Sequence, residues 1–267
     1  MFWAELFPRP RKFELNLAFP PNNTSILYFL LDIEGTTSSV DFVYKTLFPY
    51  ASARAEAYLR EHAAEAGLQS LIEGLRAEYM REAQKDARLD VWRGGSAEDE
   101  VASAARYVRH LIELDRKVTP LKTLQGMIWE EGYRSGKLKG HVYEDVPRAF
   151  KRWKKDGKRI GIFSSGSVLA QKLLFGHSNA GDLTVYIDDY FDTTTGPKRE
   201  AASYEAICRA LRVPSKEIIF VSDVTAELDA ARSAGMHTAL MVRPGTGRAN
   251  GSEHTRIENF DDIHLEG

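Results

Sequence analysis

Unbroken apolar runs, set apart by stretches of helical spacing, give this chain its frame. Ile26-Leu27-Tyr28-Phe29-Leu30-Leu31, Ile160-Gly161-Ile162-Phe163 and Ile218-Ile219-Phe220-Val221 show no polar alternation. Strands buried on both faces of a parallel sheet read this way. The pattern predicts strands at about 26–32, 159–164, 184–188, 217–222 and 237–242, with helices at about 167–176, 199–211 and 225–234. Pro147 opens a further helix and Gly157 closes it, the usual Pro/Gly asymmetry. A strand–helix succession of this kind implies a doubly wound, Rossmann-like parallel sheet of the α/β class.

Between the first two strands the character changes. From about Phe42 to Arg134 the chain is rich in Ala, Glu, Arg and Leu, and Leu59, Leu68, Leu71, Ile72, Leu75 and Tyr79 recur at helical spacing. Gly94-Gly95-Ser96 breaks this region, Asp99-Glu100 favour the start of the next helix, and Pro120 marks another. The expected organisation is an α/β core of 26–41 and 140–267, a helical insert over 42–139, and an unassigned extension over 1–25. An insert that directly follows an active-site strand is well placed to act as a lid. The tail after Pro244 reads as loop, with Ile257 to Phe260 a candidate element.

Composition narrows the partners. The 267 residues suffice for a substantial core, and 36 basic against 38 acidic residues leave a net charge of −2, which argues against a general polyanion binder such as a nucleic-acid protein. The basic cluster Lys151-Arg152-Trp153-Lys154-Lys155 with Lys158-Arg159 reads as a solvated face. The lone Cys208 rules out a disulfide framework and, lacking a surrounding motif, reads as packing. No stretch approaches the roughly 18 apolar residues of a membrane span, and the charged, Pro-rich first 25 residues do not form a secretory signal. A soluble intracellular monomer acting on a small molecule is expected, in the cytoplasm and, in a eukaryote, the nucleus as well.

Ligands of such sheets gather at the carboxyl ends of the strands. Four chemically suited segments fall there. In Asp32-Ile33-Glu34-Gly35-Thr36-Thr37 two acids would face one side if the backbone stayed extended, and the following turn would expose N–H groups to an anion. Ser164-Ser165-Gly166-Ser167 places hydroxyls and free N–H groups at a helix start, a ready anion site as well as plain capping. Lys198, after Thr193-Thr194-Thr195-Gly196-Pro197, offers a compact positive charge. Asp223, with Glu227 one helical turn later, joins Asp32 in a hard-oxygen set suited to Mg²⁺. Each segment alone has a bland structural explanation; their common placement at strand ends does not.

These residues resemble the haloacid dehalogenase-like superfamily of phosphohydrolases and, within it, the enolase-phosphatase family of methionine salvage. Most superfamily phosphatases carry Asp two residues after the nucleophile, where this chain has Glu34. The run from Ser164 through Ala170-Gln171-Lys172 to His177-Ser178 looks like the family's second motif. Asp115-Arg116-Lys117 and Leu121-Lys122-x-Leu124-Gln125-Gly126-x-x-Trp129 look like its cap. The likeness runs from about 26 to 245. It implies a phosphate-ester substrate, 2,3-diketo-5-methylthiopentyl-1-phosphate, that is enolised and then dephosphorylated to an acireductone. It further implies one Mg²⁺, held by the Asp32 side chain, the Glu34 backbone carbonyl and Asp223, with Asp32 the nucleophile and Glu34 the acid/base. Ser164 and Ser165 would hold the phosphate with Lys198 beside it. The group that takes the enolisation proton stays open between Glu34 and a polar residue of the insert.

The alternatives are weaker. Haloacid dehalogenases need neither Glu34 nor Asp223, and a phosphomutase would need an activating phosphate of which the sequence carries no sign. A phosphatase for another ester is the runner-up. A non-catalytic phosphoryl-ligand binder would have no use for an intact acid and lysine set.

Overall fold

The computed structural model describes residues 26–85, 89–244 and 253–263. The expected extension over 1–25 lies outside the described residues. Six parallel strands form one sheet in the order β3-β2-β1-β4-β5-β6: β1 Tyr28–Leu31, β2 Arg159–Phe163, β3 Asp189–Phe191, β4 Ile218–Ser222, β5 His237–Met241 and β6 Thr255–Ile257. Central β1 pairs β2 on one side and β4 on the other, Leu31 standing opposite both Ile162 and Val221. The connections therefore change direction at β1 and β4, and a crevice opens beyond their carboxyl ends.

Side-chain alternation splits the core in two. Phe29, Leu31, Ile160, Ile162, Ile219 and Val221 pack on one face with Trp153 and Phe260; Tyr28, Leu30, Phe163, Ile218 and Phe220 pack on the other with Tyr204, Ile207 and Leu228. The ring of Phe29 stacks on Trp153 with centroids 3.7 Å apart. Burying a side chain of this size stabilises the fold by roughly 1.5–3 kcal/mol. Covering both faces is why these strands carry uninterrupted apolar runs.

Helices α6 Asp145–Lys155, α7 Val168–Gly176, α8 Ala201–Leu211 and α9 Thr225–Ser233 complete the α/β part. Gly157 takes φ +70° just after α6, the left-handed turn that Gly permits. Of the basic cluster expected to be a solvated face, Lys151 and Lys155 are exposed, Arg152, Lys154, Lys158 and Arg159 are half-buried, and Trp153 is in the core. Lys154 pairs with Asp188 at 2.8 Å, Arg152 with Asp261 at 2.9 Å and Arg159 with Asp189 at 2.8 Å. Each pair is part exposed and contributes about 0–1 kcal/mol. Cys208 is half-buried in α8 and packs against the second core face.

One expected strand is misplaced. Residues 184–188 do not form it: Thr184–Tyr186 is a short 3₁₀ helix, and the strand comes later, at Asp189–Phe191. Asp182 accepts from the Thr184 N–H at 2.9 Å and from its hydroxyl, a local turn that competes with extension. The tail adds β6, ending at Ile257, and a 3₁₀ turn at Phe260–Asp262.

The described residues between β1 and α6 carry α1 Val40–Phe42, a π-helical stretch Val43–Leu47, α2 Phe48–Glu61, α3 Ala66–Ala83, α4 Ala97–Glu113 and α5 Thr119–Arg134. Ser96 caps α4 by accepting from Asp99 N at 3.1 Å, and Pro120 sits in the first turn of α5. Helix α5 packs on α7, where Gly126 lies under Leu169. The helical layer thus meets the sheet at its carboxyl edge. No helix among the described residues is long and apolar enough to cross a membrane.

Candidate active site

Asp32 leaves β1 with its N–H still paired to Val221 O at 3.0 Å, so the ladder fixes where its carboxylate begins. The chain then turns. Ile33 O accepts from the N–H groups of Thr36, Thr37 and Ser38 at 2.8–3.2 Å. The backbone is therefore not extended between Asp32 and Glu34, and the two acids do not simply share one pleat face. Gly35 adopts φ +74°, and a Cβ there would collide with the Asp223 carboxylate. Glycine thus satisfies two demands at once: a left-handed turn and close approach of a second acid.

The loop is also held from behind. Arg243, 3% exposed, donates from Nε and Nη2 to Thr36 O at 3.0 and 2.6 Å and from Nη1 to both Asp145 oxygens at 2.9 Å. Its guanidinium lies 4.1 Å from the Tyr143 ring centre. Asp145 accepts in turn from Phe260 N at 2.7 Å. A planar fork suits this bidentate, stacked position better than an ammonium would.

Lys198 is 9% exposed and reaches the nucleophile candidate directly. Its Nζ lies 2.5 Å from Asp32 Oδ1 and 2.7 Å from Glu227 Oε2. Ser222 Oγ donates within reach of both acids, at 3.0 Å to Glu227 and 3.3 Å to Asp32. Burial alone would discharge the lysine, but the two carboxylates outweigh it and hold its pKa above the ordinary value. Glu227 is pushed upward by burial and by Asp32, against the pull of Lys198.

The serine segment closes another side. Ser164 Oγ accepts from Gly166 N at 3.1 Å, and Ser167 caps α7 through Ala170 N at 3.3 Å. Lys122, from α5, donates to Ser165 O at 3.3 Å and lies 3.5 Å from Thr193 Oγ1, so the helical layer touches both loops.

Between the Ile33–Glu34 turn, the serine segment and the helical layer lies a cleft of about 760 Å³, counting its open mouth; Asp32, Lys198 and Asp223 are not among its lining residues. Its polar end carries Glu34, Ser164 and Ser165; its apolar end carries Val43, Leu47, Phe48, Leu121 and Trp129. Trp129 Nε1 donates to Leu47 O at 3.0 Å, tying α5 to the π-helical stretch. Burial, and next the charge of Asp32, raises the Glu34 carboxyl above its usual range, while Lys117 and Lys198 oppose this. Such a group retains a proton to higher pH than an exposed glutamate.

Asp32 and Asp223 offer hard oxygens on either side of the Gly35 turn, the donor chemistry that Mg²⁺ takes, so the residues present fit the ion. A second acidic group, Glu61, His62 and Glu131, lies on the helical layer with ligand atoms within 4.8 Å. Arg54 already bridges its two glutamates, at 2.5 and 2.9 Å, which neutralises the charge a cation would need. The strand-end acids are the better metal set.

A parallel sheet whose central strand ends in an aspartate held by a lysine, with a second aspartate on the neighbouring strand's exit, defines a hydrolase class. Residues 26–235 match the haloacid dehalogenase-like hydrolase family. The chain belongs to that family and is one of its phosphatases. Enolase-phosphatase E1 of Synechococcus elongatus is 51% identical over 91% of this chain and 100% of its own length. The protein of that name from Drosophila melanogaster is 45% identical over 88% of this chain and 90% of its own. The crystal structure of the UTR4 protein of Saccharomyces cerevisiae superposes with a TM-score of 0.72 at 34% identity, covering 90% of this chain and all of that one. CbbY of Rhodobacter sphaeroides, at 14% identity and a TM-score of 0.52 over 88% and 95% of the two chains, shares the fold.

All the residues singled out from sequence lie in one region: Asp32 touches Lys198, Asp223 abuts Gly35, and Glu34, Ser164 and Ser165 line the cleft. Sequence reasoning undervalued Glu227, although its spacing one helical turn after Asp223 was the signal. It named Ser222 and Lys122 only as parts of their segments, and gave no hint of Arg243, whose partner Thr36 lies 207 residues away.

Proposed function

We propose that this enzyme enolises 2,3-diketo-5-methylthiopentyl-1-phosphate and then releases phosphate, yielding the acireductone of methionine salvage, as a cytoplasmic monomer. The observation that carries this reading is the two-ended cleft: anion-holding groups at one end, an apolar recess under the helical layer at the other. A phosphate ester with a short thioether tail needs both, and the identity to enolase-phosphatase relatives supports the same substrate.

Asp32 attacks phosphorus in line, forming an aspartyl-phosphate as the ester oxygen leaves. Lys198, the hydroxyls of Ser164 and Ser165 and the Ser165 N–H meet the charge of the transferring phosphoryl group, the principal task in such reactions. Glu34, whose carboxyl stays protonated to higher pH, gives its proton to the leaving oxygen. The resulting carboxylate then takes a proton from the water that attacks the aspartyl-phosphate. Mg²⁺ held by the Asp32 side chain, the Glu34 backbone carbonyl and Asp223 would supply positive charge at the phosphate and Lewis acidity. The helical insert over 42–139 acts as a lid that excludes water.

Following the diketone phosphate by absorbance for the enol, and by assay for released phosphate, tests this. Wild type should show both events, and Asp32→Asn no phosphate release, since an amide is a poor nucleophile. Turnover of a generic aryl phosphate without any on the diketone would assign the enzyme to another ester.

A further inference from the structure

Enolisation needs something that phosphate release does not: positive charge at the carbonyl oxygen next to the carbon that loses its proton. We infer that Lys117, carried by the turn between α4 and α5, supplies that charge. The inference rests on the enolase-phosphatase reading above.

Its position along the cleft is the first argument. Lys117 Nζ lies 5.3 Å from the centre of the Phe48 ring, which belongs to the apolar end, and Lys117 lines the same cleft as Glu34 of the polar end. A substrate with phosphate at one end and thioether at the other must lay its two carbonyls between them, alongside this ammonium. Lys198, by contrast, is paired with Asp32 and Glu227.

How the lysine is held is the second. Asp115 Oδ1 lies 2.6 Å from Lys117 Nζ, and Asp115 Oδ2 accepts from the Tyr44 hydroxyl at 3.3 Å. Asp115 adopts φ +50°, a left-handed conformation that a non-glycine residue holds at a cost. That kink turns the chain so that Asp115, Arg116 and Lys117 all border the cleft. Both members of the pair keep close to half of their side-chain surface open, so the ammonium retains donors for a ligand.

In the step itself, a base takes the proton from the carbon bearing the phosphate ester. The C–H electron pair becomes the new carbon–carbon π bond, and the carbonyl π pair moves onto oxygen. Lys117 donates a hydrogen bond to that oxygen as its negative charge grows. Asp115 is a positioning residue: it aims the ammonium and does not touch the substrate.

Two rates test the assignment, enol formation from the diketone phosphate and phosphate release from an aryl phosphate, which has no proton to lose. Lys117→Met should lower the first about 100-fold more than the second, the scale seen when an oxyanion donor is removed. Lys117→Arg, which keeps a cation there, should recover enol formation to within about tenfold of wild type. Equal losses in both rates, or none in either, would overturn the role of Lys117 while leaving the substrate reading in place. A wild-type enzyme that hydrolyses the aryl ester yet forms no enol would overturn both.

Discussion

Lys198 does not serve Asp32 alone: Glu227 Oε2 lies 2.7 Å from the same ammonium, and Ser222 ties the two acids together. One buried cation shared by two carboxylates leaves the nucleophile less tightly paired than a simple ion pair would. It also leaves net negative charge beside Asp223, which favours a divalent cation. The placement of Glu227 on α9, one turn past the exit of β4, makes this possible.

Glu227→Gln should therefore act on chemistry more than on folding. The amide can still occupy the space and accept from Lys198, but the second negative charge is gone, and Asp32 is left as the only anion paired with Lys198. Phosphate release should fall roughly 10–100-fold, the usual scale for residues behind the first layer of a site. The fall should appear in kcat with KM little changed, and a higher Mg²⁺ concentration should be needed for half-maximal rate. Steady-state kinetics across a metal titration reads all three. A variant with wild-type kcat would show that Lys198 needs no second acid.

Arg243 makes a separate prediction, because its ion pair with Asp145 is buried and also carries the carbonyl of Thr36. Removing one partner strands the other charge, a loss of about 3–5 kcal/mol in comparable buried pairs. Arg243→Met should lower the urea midpoint accordingly. Arg243→Lys keeps the charge but loses the fork, so it should retain much of the stability and lose activity as the Asp32–Thr37 loop relaxes. Equal activity in the lysine variant would mean that the loop holds its shape without the guanidinium.

A pH effect follows from His141. Burial, and next the charge of Arg243, hold its imidazole below the ordinary value of 6.5, and its Nδ1 accepts from Ser39 N at 3.1 Å. Below 6.5 the unfolded chain takes up a proton that the folded one resists. The stabilising contribution is thus complete above 6.5 and is lost as pH falls through and below it. His141→Asn, whose side-chain oxygen can accept from Ser39, has no proton to bind. The Tm of wild type should drop relative to the variant between about pH 7 and pH 5, with the gap constant above. Parallel curves would rule out His141 as the source.

Much of this arrangement was legible in the chain because its causes are local. Strands β1, β2 and β4 must be apolar throughout, since helices cover both faces, and a strand end is a fixed place for a ligand group. Asp32, Ser164 and Asp223 could therefore be placed before any contact was known. Edge strand β3 could not: its three residues Asp189, Tyr190 and Phe191 are all half-buried, and the more apolar Val185-Tyr186-Ile187 nearby lies in and just after the 3₁₀ turn Thr184–Tyr186 instead. Arg243 was opaque for another reason, as was the direct contact of Lys198 with Asp32. Their partners lie 207 and 166 residues away, and no periodicity encodes such pairings.

Gly35 permits the sharpest separation of strain from chemistry. Gly35 and Gly136 share φ +74°, yet a Cβ at Gly136 would meet nothing within 4 Å, whereas one at Gly35 would strike the Asp223 carboxylate. Alanine at either position pays the left-handed backbone cost, roughly 1–2 kcal/mol. Gly136→Ala should stop there, with a lowered Tm and wild-type kinetics. Gly35→Ala must also displace the Asp223 carboxylate, so its Mg²⁺ requirement should rise at least about tenfold on top of the same loss in Tm. Metal-dependent phosphate release from the two variants, compared at matched fraction folded, isolates the displacement of Asp223. If both respond to Mg²⁺ alike, the closeness of Gly35 to Asp223 has no part in holding the ion.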